Sequence, residues 1–231
     1  MLPKLSLLYY KTMKQLIIFL FCVLLANQLQ AQVSDPILQH DSFQIFSKAI
    51  NESRQINVWM PAEYKNGNTV LPVLYMPDGG TNEDFPHVAN TLEKLIAAKQ
   101  IPAFILVGIA NTERRRDMTG PTAVTKDKTI APRIGGSENF LNFIVQELKP
   151  EINKRYRTQN ESGIIGESLA GLFIVETFFS HPESFDFYIA IDPSLWWNDA
   201  YLIKHSSEYL SKMNNSPKRL WFAGSSAKDI F

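Results

Sequence analysis

Apolar and polar positions along the chain change period several times, and each change marks a structural element. Residues Arg54 to Met60 alternate, with Ile56, Val58 and Met60 separated by Asn57 and Trp59, as in a strand with two unlike faces. With Ser42 to Lys48 they form an antiparallel pair across Asn51-Glu52-Ser53. Further on, the apolar residues run continuously over Leu71 to Met76, Ala103 to Ile109, Gly163 to Ile165, Phe187 to Ile191 and Leu220 to Ala223. Such runs suit strands covered on both faces. Between them, Val88 to Ala98 and Phe140 to Leu148 carry apolar residues at helical spacing, while Leu169 to Phe179 is apolar nearly all round. Strands alternating with helices predict a doubly wound α/β fold: a mostly parallel sheet with an antiparallel pair leading it.

The N-terminal residues follow another pattern. Lys4, Lys11 and Lys14 precede an unbroken apolar run from Leu16 to Ala26, and a polar stretch then leads to Ala31. This is the layout of a secretory signal peptide over residues 1–31, which leaves a domain over 32–231. An eleven-residue run is short of the roughly 20 apolar residues that span a bilayer. Export to a periplasmic or extracellular location is therefore the expectation, with no stable membrane insertion after cleavage. Either Met1 or Met13 can serve as the start, because Met13-Lys14 places a charge directly before the apolar run.

Composition removes several classes of function. Lys plus Arg and Asp plus Glu number 23 each, so no basic excess draws nucleic acid. The single cysteine, Cys22, lies inside the apolar leader, so the domain has neither a disulfide framework nor a thiol nucleophile. No metal-ligand spacing is present. Gly135-Gly136-Ser137 lacks the lysine of a phosphate loop, and no cofactor is expected.

The candidate chemistry centres on Ile164-Ile165-Gly166-Glu167-Ser168-Leu169-Ala170-Gly171. A β-branched run stops at a glycine, presents one serine and continues into a helix, as a nucleophile elbow does. Gly166 and Ala170 keep the flanks small, although the usual pattern has glycine at the position of Ala170. Ser168 is the candidate nucleophile, and the N–H of Leu169 is one donor to the oxyanion that its attack would create. A second donor is expected from Asp78-Gly79-Gly80-Thr81, with Gly80 preferred over Gly79.

The series Leu71 to Gly80, then Arg114-Arg115-Arg116-Asp117-Met118-Thr119, then the elbow, then Asp192-Pro193-Ser194-Leu195-Trp196-Trp197-Asn198 resembles an esterase family of the α/β-hydrolase fold. That family includes siderophore esterases, S-formylglutathione hydrolase and feruloyl esterases. The resemblance spans about residues 41 to 231. It implies an α/β-hydrolase fold, a serine acyl-enzyme mechanism and a small-molecule or glycan-linked ester as substrate. Of the family's members, the siderophore esterases match the Arg-Asp-x-Thr and Pro-Ser-Leu-Trp-Trp runs most closely.

Triad order in this fold is serine, then acid, then histidine. The four histidines, His40, His87, His181 and His205, do not meet it, since none follows the strand Leu220 to Ala223. The expectation is a domain incomplete at its C-terminus, with the histidine beyond Phe231. Asp229 is one candidate acid and Asp192 the alternative. Arg114, Arg115 and Arg116 either grip the oxygens of an acidic substrate or form a solvated loop in which Arg116 pairs with Asp117. Trp196 and Trp197 stand where pockets form in open α/β sheets. A catalytically inactive ligand- or polysaccharide-binding protein remains the alternative to an exported esterase.

Overall fold

Alternation along the strands divides the core in two. In β3 (Leu71–Pro77), Val73 and Tyr75 join one apolar cluster while Leu74 and Met76 join the other. In β4 (Ile105–Ile109), Ile105, Val107 and Ile109 likewise oppose Leu106. A strand with apolar residues on both faces needs a layer on each side, and the computed structural model supplies them. It describes residues 35–65, 67–213 and 218–224. The signal-peptide assignment, Cys22 and Asp229 lie outside those residues.

The remaining strands are β1 (Asp41–Ser47), β2 (Glu52–Trp59), β5 (Thr158–Glu167), β6 (Phe187–Ile191) and β7 (Arg219–Ala223). They form a seven-stranded sheet in the order β1-β2-β4-β3-β5-β6-β7. The pairs β1/β2 and β2/β4 are antiparallel; all others are parallel. The expected antiparallel leading pair is present, but its turn is displaced. It occupies residues 48–51, where Asn51 takes a left-handed φ of 53°, while Glu52 and Ser53 already belong to β2. Asparagine tolerates that conformation better than most residues.

Among the helices, α1 (Ala62–Lys65) is a single turn and α2 (Phe85–Ala97) packs on the Leu74/Met76 face. The long connection after β4 holds α3 (Arg114–Asp117) and α4 (Thr125–Ile130). It is followed by α5 (Ser137–Asn142), which runs through π-helical turns at Phe143–Leu148 into α6 (Lys149–Arg155). The chain then forms α7 (Leu169–Ser180), α8 (Trp197–Lys204) and α9 (Ser206–Lys212). Helix α7 is buried at nine of its twelve residues, which explains its apolar circumference. Among the described residues, no helix is long and apolar enough to cross a membrane.

The face opposite α7 is less completely covered. Between α2 and strands β5 to β7 lies a groove of about 660 Å³ whose lining includes Ile165, Phe187, Ile189, Ile191 and Trp221. Strand β7 ends the sheet among the described residues, with Trp221 51% and Phe222 68% exposed.

Candidate active site

The five parallel strands point their C-terminal ends the same way, and at that edge the loops after β3, β4, β5 and β6 meet. Open α/β sheets form their sites there. Ser168 stands between β5 and α7 with φ 58° and ψ −115°, outside every region that an L-residue adopts without strain. Backbone hydrogen bonds hold it there. Its N–H donates to the Ile191 carbonyl at 3.0 Å, and its carbonyl accepts from Leu172 N–H at 2.9 Å and Ser194 N–H at 3.0 Å.

Gly166 has a steric reason to be glycine. A Cβ there would sit 2.6 Å from the Ala170 Cβ, so alanine at 170 is accommodated because 166 carries no side chain. Leu169 opens α7, and the N–H of a first helical residue has no acceptor within its own helix. It fits the role of oxyanion donor.

The loop after β3 is built differently from expectation. Asp78 adopts φ 58°, and Gly79 passes so close to β4 that a Cβ would lie 2.1 Å from Ile109 N. Gly79 N–H donates to the Ile109 carbonyl at 2.9 Å, extending the sheet. Gly80 N–H donates to Glu83 Oε2 at 2.7 Å, while Glu83 N–H donates to the Gly80 carbonyl at 3.0 Å. Residues 80–83 thus close a tight turn ahead of α2, with the Glu83 carboxylate folded back onto its first N–H. The N–H groups of Gly79 and Gly80, the expected second donors, are thus both engaged within the protein. The signal was legible: a glutamate stands three residues after Gly80.

The arginines are also engaged within the protein. Arg114 grips Asp78 with two hydrogen bonds, Nε to Oδ1 at 2.6 Å and Nη2 to Oδ2 at 2.8 Å. These bonds raise the guanidinium above its ordinary pKa. Its Nη2 also lies 3.5 Å from the Glu167 carbonyl, so Arg114 ties the loop after β3 to the elbow. Arg115 donates to the Ile130 carbonyl. Arg116 pairs with Glu52 and Asp117, and Asp117 with Glu52 also receives the fully buried Arg54. Partial burial opposes ionisation of Glu52, yet hydrogen bonds from Arg116 and Thr112 hold its pKa down at about 2. Arg116 thus belongs to an internal ion network that includes the Asp117 pairing of the solvated-loop alternative.

Beyond β6, Asp192 takes φ 45° and donates its N–H to the Ala223 carbonyl at 2.6 Å. Trp197 is buried and donates Nε1–H to the Gly120 carbonyl at 3.3 Å, which makes it a core residue. Trp196 is half-buried and meets Trp197 edge-to-face at 5.9 Å. Asn198, Asp199 and Ala200 follow with φ between 51° and 54°, a left-handed turn fastened by Asn198 N–H to Asp127 Oδ2 at 2.9 Å.

One contact of Ser168 is made by a residue that the sequence marks only as part of the Asp192 to Asn198 run. Ser194 is 7% exposed, and its Oγ lies 3.3 Å from Ser168 Oγ.

The histidines stand in other settings. His181 follows α7, at the far end of a helix about 18 Å long from the elbow, and meets Glu138 at 3.2 Å. His205 bonds the Tyr201 carbonyl, His40 bonds the Leu38 carbonyl, and His87 lines the groove beside α2.

A strained serine between a strand and a buried helix, at the C-terminal edge of a mostly parallel sheet, defines the α/β-hydrolase class. Residues 47–226 match the family described as "Putative esterase", and the chain belongs to that family. Ferri-bacillibactin esterase BesA of Bacillus subtilis (strain 168) is 37% identical over 138 residues, covering 53% of this chain and 47% of its own. The siderophore triacetylfusarinine C esterase of Aspergillus fumigatus is 30% identical over 159 residues, 63% of this chain and 52% of its own. The solved IroE-like serine hydrolase from Shewanella oneidensis superposes with a TM-score of 0.72 at 29% identity, covering 80% of this chain and 60% of that one. This chain spans about half the length of the curated relatives it matches.

Proposed function

We propose that this chain carries the nucleophile of an exported serine esterase that cleaves siderophore-type carboxylic esters through an acyl-enzyme. The carrying observation is the backbone of Ser168, held at φ 58° and ψ −115° with its side chain exposed at the sheet edge. Strain of this kind, fixed by three backbone hydrogen bonds, presents the hydroxyl to a substrate carbonyl. Similarity to siderophore esterases supports the substrate class. The charged residues ahead of the Leu16 to Ala26 run support export.

In this reading Ser168 Oγ attacks the ester carbonyl as its proton passes to a general base. The N–H of Leu169 donates to the oxyanion, and collapse of the tetrahedral intermediate releases the alcohol and leaves the acyl-serine. Water, activated by the same base, then releases the acid. In this fold the general base is ordinarily a histidine that follows the acid in the chain. Asp192 is the candidate acid within the described residues.

The test is ester turnover by the full-length protein, with free acid followed by mass spectrometry. A catecholate or hydroxamate siderophore ester, a feruloyl ester and an acetylated glycan are offered in parallel. The reading expects the siderophore ester to be turned over fastest, with turnover lost in Ser168→Ala. Preference for the feruloyl or acetyl ester would reassign the substrate, and no turnover by folded protein would favour an inactive binding protein.

A further inference from the structure

We propose that Ser194 is a positioning residue for the Ser168 hydroxyl, an inference that rests on Ser168 being the nucleophile. A serine side chain has three rotamers and a hydroxyl that rotates freely, so a strained backbone alone does not aim its proton. Ser194 supplies a fixed reference. Its Oγ lies 3.3 Å from Ser168 Oγ, and its N–H donates to the Ser168 carbonyl at 3.0 Å. It therefore touches the nucleophilic residue through both backbone and side chain.

The Ser194 side is itself held firmly. The Trp197 N–H donates to the Ser194 carbonyl at 3.1 Å, and Trp197 is anchored in the core through Gly120. Three residues before Ser194, Ile191 accepts the Ser168 N–H at 3.0 Å. The segment from Ile191 to Ser194 is thus stitched to the elbow at three points. Among the described residues, Ser168 Oγ is the hydrogen-bond partner of the buried Ser194 Oγ. Buried hydroxyls are ordinarily paired, so the contact also satisfies Ser194.

The chemistry follows from the hydroxyl inventory. When Ser194 donates, it takes one lone pair of Ser168 Oγ and leaves the Ser168 proton for the general base. A separation of 3.3 Å is long for an O–H···O bond, as catalytic contacts often are before substrate binds. As the Ser168 proton departs, the growing negative charge on Oγ strengthens and shortens the bond. Ser194 gains or loses no proton overall, and forms no covalent bond with substrate.

The test compares full-length wild type with Ser194→Ala, Ser194→Thr and Ser168→Ala. A fluorophosphonate probe is used, and the maximal labelling rate is separated from the probe concentration at half-maximal rate. For Ser194→Ala the expected result is about a tenfold fall in the maximal rate with the half-maximal concentration unchanged. Ser194→Thr, which keeps the hydroxyl, is expected to recover most of the loss. Thermal unfolding is expected to stay within a few degrees of wild type. Labelling of Ser194→Ala at the wild-type rate would overturn the inference, as would a loss that Ser194→Thr fails to recover although it unfolds at the wild-type temperature. Should Ser194→Thr be unstable, Ser194→Cys replaces it under the same criteria, with partial recovery expected from the weaker thiol donor. Absence of labelling in wild type would overturn the nucleophile assignment, and the inference with it.

Discussion

The elbow at Ser168 and the arginine-bearing turn at Arg114–Asp117 lie at the same edge of the sheet, and both are rich in polar contacts. At the elbow, hydrogen bonds are made by the backbone, while the serine side chain is exposed and meets one other hydroxyl. At the turn, the side chains themselves make the contacts: Arg114 with Asp78, and Arg116, Arg54, Glu52 and Asp117 with one another. The first arrangement leaves a reactive group available; the second consumes its charges to fix a loop. Charge density in a sequence is therefore a weak guide to a binding site until the partners of each charge are known.

The largest effect that separates the two regions should come from Ser168→Ala. Loss of the nucleophile should lower ester turnover of the full-length protein by about 10⁶, with little change in unfolding temperature. The ion network should behave in the opposite sense. Asp117→Ala leaves Arg54, which has no solvent exposure, without one of its carboxylates, and should destabilise by about 3–5 kcal/mol in denaturant titration. If that variant unfolds as wild type does but loses substrate affinity, the turn belongs to the binding site after all.

A third effect sharpens the comparison through pH. Glu176, on the helix that follows the elbow, is pushed up to about 7 by burial, against which a Ser137 hydrogen bond works. A carboxyl with a raised folded pKa favours the protonated form in the native state. Below about pH 4.5 both states bind the proton and nothing is lost. As pH rises from there to about 7, the unfolded state ionises first, and stability should fall by on the order of 3 kcal/mol. Glu176→Gln should flatten that slope in unfolding experiments between pH 4.5 and 8. A slope equal to that of wild type would place the titration elsewhere.

The smallest effect concerns Arg115, whose side chain is exposed and donates to the Ile130 carbonyl. Arg115→Ala should change stability by less than about 1 kcal/mol and leave KM within about twofold. A tenfold rise in KM for an acidic substrate would return the arginine to the role that its sequence context suggested.

Much of the fold was legible because the sheet is covered on both faces. Phe187 to Ile191 matches β6 residue for residue, and Leu169 to Phe179 falls one residue short of α7. Where burial is one-sided, the signal faded. The first half of β5, Thr158 to Ser162, is polar and mostly exposed, so the apolar run at Gly163 to Ile165 marked only its buried portion. The π-helical turns at Phe143–Leu148 lie inside the stretch read as a single helix, since apolar spacing at 3 and 4 residues does not separate i→i+4 from i→i+5 bonding.

At the site, local geometry was readable and distant pairing was not. The strained turn at Ser168 follows from small neighbours within a few residues. The pairing of Arg116 with its neighbour Asp117 was readable too, but not its pairing with Glu52, 64 residues away, nor that of Arg54 with Asp117 across 63. Ser194 was legible as part of a motif, but only folding brings it against a serine 26 residues earlier.

Ser168 as an activated nucleophile is the central assignment. Full-length protein treated with a fluorophosphonate and mapped by peptide mass spectrometry should carry one adduct, on Ser168, and Ser168→Ala should carry none. A folded protein left unmodified, or modified at another residue, would contradict it.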